Sequence, residues 1–114
     1  MLLALTDQFA DFAADLAKAR AVLPLLKDPY ARAYYAGIVA ERWAKAHLRR
    51  GDPGSGFLAY EAFREAMEWY QKAETLRPPD NADAILRWNA CVRILNARPQ
   101  LQRGPEEPAE APLE

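Results

Sequence analysis

From Arg50 to Gly56 the chain reads Arg-Gly-Asp-Pro-Gly-Ser-Gly, a run that neither a helix nor a strand can continue through. Glycine loses too much backbone freedom there, and proline lacks the amide donor that regular structure needs. Two further breaks, Pro24 with Asp28-Pro29 and Pro78-Pro79, divide the chain again. Whatever forms must therefore be built from four segments, each long enough for several helical turns. Each shows helical periodicity, and none shows sustained strand alternation.

The first segment predicts a helix over about 6–23, capped by Thr6, with Phe9, Phe12, Leu16 and Leu23 on one stripe and Asp11, Asp15 and Lys18 facing away. Asp28-Pro29, a cap followed by proline at the first helical position, predicts a second helix over about 29–49. Its expected buried arc is Tyr35, Val39, Trp43 and Ala46. Beside that arc run Ala33, Ala36, Gly37, Ala40 and Ala44, small enough for another helix to come close. His47 is expected near solvent at the helix end.

A third helix is predicted over about 57–77, with Phe63, Ala66, Trp69, Tyr70, Ala73 and Leu76 sharing an arc wide enough for a middle helix with neighbours on two sides. Asp80 or Asn81 would cap the fourth, over about 82–96, whose main stripe is Ala84, Trp88, Cys91, Val92 and Leu95. A single helical domain over 1–98 follows. From 99 to 114 the prolines and acids leave almost nothing apolar to bury, which predicts a disordered tail.

Balance of charge narrows the function. A net charge of −1 lacks the electrostatic footprint of nucleic-acid binding, unless Arg42, Lys45, Arg49, Arg50, Arg87 and Arg93 form one basic patch. No apolar stretch approaches a membrane span, and the apolar start, Met1 to Leu5, is too short and lacks the basic residues of a secretory signal. The lone cysteine, Cys91, has no internal disulfide partner, so a cytoplasmic setting is expected. Cys91 and His47 alone cannot supply a metal site, and no cofactor is expected. Glu61, Glu65 and Glu68 share a face with Arg64 and Lys72, the pattern of a solvated surface with helical ion pairs rather than of acid–base chemistry. The glycine-rich loop at 51–56 lacks the lysine and hydroxyl residue of a phosphate-binding loop. No enzyme is expected.

The stretch from Glu65 to Pro78 resembles the second helix of a tetratricopeptide repeat, with Ala66, Tyr70, Ala73 and Pro78 at the family's alanine, aromatic, alanine and proline positions. Ala33, Ala36, Gly37 and Ala40 hold the spacing of the family's first-helix pattern, although only the glycine is of the expected type. The interval from Gly37 to Ala66 exceeds the family's by roughly 17 residues in a unit of about 34. The resemblance covers one degenerate repeat and a following helix. It implies an all-α fold of four helices in antiparallel, tetratricopeptide-like hairpins, with the first helix of each pair lining a concave, ligand-holding surface.

The second and fourth helices also carry a second apolar stripe. On the second it is Tyr34 and Ile38 beside Arg42, Lys45 and Glu41; on the fourth it is Leu86, Ala90 and Ile94 beside Arg87 and Arg93. These stripes would bind a protein segment or a second copy of the chain. They would equally be filled by the first helix, or by Pro99 to Leu101, completing the core. The competing functional reading is a small-molecule or catalytic pocket among Trp43, Trp69 and Trp88. The tail composition generates one firm expectation: deleting Gly104 to Glu114 leaves the thermal midpoint unchanged, and a fall of several degrees would show that the tail docks on the domain.

Overall fold

A computed structural model describes residues 2–102, with the side chains of 11–99 and of Leu101. The remainder of the expected tail, 103–114, and the side chain of Phe9 lie outside the described residues. The fold is all-helical. Its elements are α1 (Leu2–Val22), α2 (Pro29–Arg50), α3 (Ser55–Leu76) and α4 (Asp83–Ala97), with short 3₁₀ turns at Leu23–Leu25 and Pro99–Gln102.

Local chemistry accounts for the helix ends. Asp28 accepts the Tyr30 amide at 3.2 Å while Pro29 occupies the first turn, as the dipeptide predicts. Gly51 closes α2 in the left-handed region at φ 72°, its amide donating to the His47 carbonyl at 3.4 Å, and Gly54 repeats that conformation at φ 86° before α3. Asn81, one of the two expected caps, accepts the Asp83 amide at 2.9 Å. Thr6 is not a cap, because α1 already begins at Leu2.

The helices pack in antiparallel succession, with α3 in the middle between α2 and α4. Ala59, Ala62, Phe63, Ala66, Met67, Tyr70 and Ala73 are all buried, which is the wide arc expected of a middle helix. On α2 the core cluster is made by the small residues Ala33, Ala40 and Ala44, with Trp43 of the bulkier arc packed half-buried against it. Tyr35, expected inside, is 50% exposed. Alanine and glycine let the two helix backbones approach more closely than tyrosine would, so α3 settles on the small stripe and Tyr35 is left on the outer face. Val39 and Ala46 are nonetheless buried, on the side of α2 that faces away from that stripe.

Three other expectations are corrected. Leu76 closes α3 at 43% exposure, beside an open cleft rather than in the core. His47 is buried, its ring standing edge-on to Trp43 at 4.6 Å, and burial followed by the charge of Arg50 holds its pKa below the usual histidine value. Third, the chain is still helical beyond residue 98. Leu101 is 4% exposed and sits over Gly56, where a Cβ would come within 3.2 Å of its Cδ2.

The tightest approach is at Gly37. A Cβ there would lie 2.5 Å from the Tyr70 ring, well inside any tolerable contact. Helix propensity alone says that Gly37→Ala stabilises by about 1 kcal/mol. The ring of a fully buried tyrosine cannot swing aside, so we expect a net loss of about 1–3 kcal/mol, the usual cost of overpacking. Urea unfolding of the two proteins decides it, and a rise in stability would mean that α2 and α3 are not in this contact.

Candidate site on the α2–α4 face

Behind α2 and α4 the side chain of Tyr70 rises from α3 between them, and four polar side chains meet around it. Its hydroxyl donates to Glu41 Oε1 at 2.6 Å. Lys45, one turn further along α2, reaches Glu41 Oε2 at 2.8 Å. From α4, Arg87 donates from Nε to the Tyr34 hydroxyl at 2.9 Å and places a second nitrogen 3.5 Å from Glu41 Oε1. The Tyr34 ring lies under that guanidinium at 5.9 Å, stacks on Tyr30 at 5.7 Å and meets Tyr35 edge-on at 5.3 Å.

Turning by 100° per residue, Tyr34, Glu41 and Lys45 fall on one line of α2, just off its small-residue stripe. The sequence therefore aims all three at the gap between α2 and α4. Glu41 is only 3% exposed, whereas the expectation left it on a charged flank. A buried carboxylate survives only when its oxygens are satisfied, and here they are. Burial by itself raises the Glu41 pKa. The hydrogen bonds from Lys45 and Tyr70, with the charges of Lys45 and Arg87, outweigh it and hold the carboxyl below its ordinary value. Tyr70 moves the other way, its pKa raised by burial and by the carboxylate it donates to. The group is thus locked as carboxylate and neutral phenol. One anion faces two cations, each with 44% of its side chain still exposed.

The residues expected at a binding face divide here. Tyr34, Ile38 and Lys45 line the α2 side half-buried, and Arg42 is exposed beside them. On α4, Leu86 is 61% exposed and Arg93 is exposed, while Ala90 and Ile94 are half-buried. Tyr34, Ile38 and Ile94 pack against the core, contrary to the reading that put these stripes off it. Neither expected cover lies over Leu86. The helix α1 packs on α2, and Leu101 sits at the opposite end of α4, by the start of α3. Sequence reasoning missed Glu41, Arg87 and Tyr70 as one unit. The available signal was their position: Glu41 shares a helix line with Tyr34 and Lys45, and Tyr70 faces Gly37 one turn away.

Among the described residues the three tryptophans border separate clefts: Trp69 one of about 490 Å³ beside α1, Trp88 one with Tyr60 and Arg64, Trp43 one with Leu58 and Glu61. Cys91 is fully buried, and burial pushes its thiol up to about 12, far from the ionisation a nucleophile needs. Among the described residues no three His, Cys, Asp or Glu side chains converge as metal ligands would, and no helix is long and apolar enough to cross a membrane. Of the six basic residues considered for a patch, Lys45 and Arg87 pair with Glu41, and Arg50 pairs with Asp52.

Because the folded pKa of Glu41 is depressed, its stabilisation is fully present above the unfolded value and is lost as pH falls through the folded one. Between pH 5 and pH 3, roughly the carboxylate range, the thermal midpoint should therefore drop more for the parent than for Glu41→Gln. Equal slopes in the two melting series would mean that the carboxylate is not held in this network. Comparison with protein-family models, with curated proteins and with solved structures returns no match to this chain.

Proposed function

We propose that this chain is a non-catalytic adaptor that binds an extended or helical protein segment along the face between α2 and α4. One observation carries the reading. Leu86, a large aliphatic residue, stands 61% exposed beside a guanidinium that Tyr34 and Glu41 hold in place from the facing helix. An exposed apolar residue next to a fixed, half-exposed cation offers a segment both burial and a directional contact. Half-buried Ile38, Ala90 and Ile94 extend the apolar surface along the gap.

The tetratricopeptide resemblance supports the same face, since it makes α2 and α4 the first helices of successive pairs and so the lining of a concave surface. The small-residue contact between α2 and α3, with Tyr70 filling the gap over Gly37, is the packing that such a repeat needs. A cytoplasmic setting belongs to the proposal, supported by a free, buried cysteine. Self-association through the same face is the variant reading.

Leu86 and Arg93 are both exposed, so Leu86→Glu with Arg93→Glu should leave the melting temperature unchanged to within about 2 °C. Ile94 is unsuitable for this test because it also packs in the core. Peptides selected from a random display library against the parent are expected to bind the double variant at least about tenfold more weakly. Selected peptides that bind both proteins equally would place the binding surface elsewhere. Concentration-dependent sedimentation of the parent, abolished in the variant, would replace the segment by a second copy.

A further inference from the structure

A cleft lies away from the α2–α4 face, where the Leu23–Leu25 turn, the start of α2 and the end of α3 come together. It measures about 490 Å³, within the range that holds small organic ligands. Buried Ala33 and Ala36 form its floor, with Leu23, Trp69 and Leu76 around them. Leu76 contributes to the cleft and is 43% exposed, while Val22 and Leu25, on and next to the same turn, are 51% and 76% exposed. These are three of the large apolar side chains that the core leaves exposed.

Its charges are all of one sign. Arg20, Arg32 and Lys72 border the cleft, and among the described residues no acid lines it. The Arg32 guanidinium is fixed at the turn, donating to the Leu26 carbonyl at 2.6 Å and the Lys27 carbonyl at 3.2 Å. The Lys72 ammonium stands 5.6 Å from the centre of the Trp69 ring. The nearby Glu65 is occupied by the Trp69 indole, which donates to it at 3.2 Å. Arg20 is exposed on the last turn of α1. An apolar floor under an aromatic wall, rimmed by cations alone, is complementary to a molecule with an apolar body and an anionic end.

We propose that this cleft binds a small amphiphilic anion, an alkyl chain ending in a carboxylate, with the chain over Ala33, Ala36 and Trp69 and the carboxylate between Arg20 and Lys72. The site is separate from the α2–α4 face and does not depend on what that face binds.

Decanoate, kept below its micelle concentration, is the probe, and the indole N–H resonances of the ¹⁵N-labelled full chain are the readout. Trp69→Phe identifies the Trp69 signal among the three. Decanoate is expected to move that signal saturably and to leave those of Trp43 and Trp88, which border other clefts, in place. Decanol should bind at least about tenfold more weakly, and so should decanoate to Arg20→Ala with Lys72→Ala. Both substituted residues are exposed, so an unchanged thermal midpoint verifies that the variant is folded. Equal binding of decanol and decanoate would reduce the cleft to an apolar crevice and overturn the proposal. So would an unmoved Trp69 signal, a shift confined to Trp43 or Trp88, or undiminished binding by the folded double variant. Binding to anionic phospholipid vesicles without binding to monomeric decanoate would overturn it in favour of a membrane surface.

Discussion

The architecture depends on one contact, the seating of Tyr70 over Gly37 with its hydroxyl on Glu41. A missing Cβ admits the ring, the ring brings α3 against the small-residue stripe of α2, and the hydroxyl reaches a carboxylate that burial would otherwise forbid. Removing a carboxylate from water costs several kcal/mol, recovered only when each oxygen is satisfied in good geometry. Alanine surfaces by themselves tolerate sliding, because one methyl resembles the next. The Glu41–Tyr70 bond does not, and it holds α2 and α3 in one register. Arg87 then ties α4 to the same carboxylate, so three helices share a single electrostatic reference point.

Much of the fold was legible because its signals are local. Asp28-Pro29 caps α2, Asn81 accepts the first amide of α4 from just before its cap residue, Ala82, and the Arg50–Gly56 break separates α2 from α3, each through residues adjacent in the chain. The wide apolar arc of α3 likewise announced a helix with two neighbours. Periodicity was less able to say which arc of α2 its neighbour would choose. Tyr35 and the alanines occupy different sides of one helix, and only the closeness allowed by small residues decides between them. Leu101 could be named only as one candidate cover for the apolar stripes: one leucine among prolines and acids gives no periodic signal, and its burial depends on Gly56, far away in the chain.

The candidate face was legible in part. Tyr34, Ile38 and Leu86 could be placed on unexplained stripes, with Lys45 on their flank, from the helical angle alone. Glu41 and Arg87, read as solvated flanks, could not be recognised as buried or fixed, because their partners lie on other helices. A charged residue at the edge of an apolar stripe looks the same whether it faces water or a tyrosine hydroxyl. Ile94 shows the converse, an apolar residue shared between the core and the gap beside it.

The docking of Leu101 at Gly56 has a consequence for reach. It returns the chain to the end of the molecule where α3 begins, beside the Arg50–Gly54 connection. Leu86 lies near the other end of α4, about 16 Å back along a helix that rises about 1.5 Å per residue. Leu101 thus holds the last described turn beside the α2–α3 connection, almost the whole length of α4 away from Leu86.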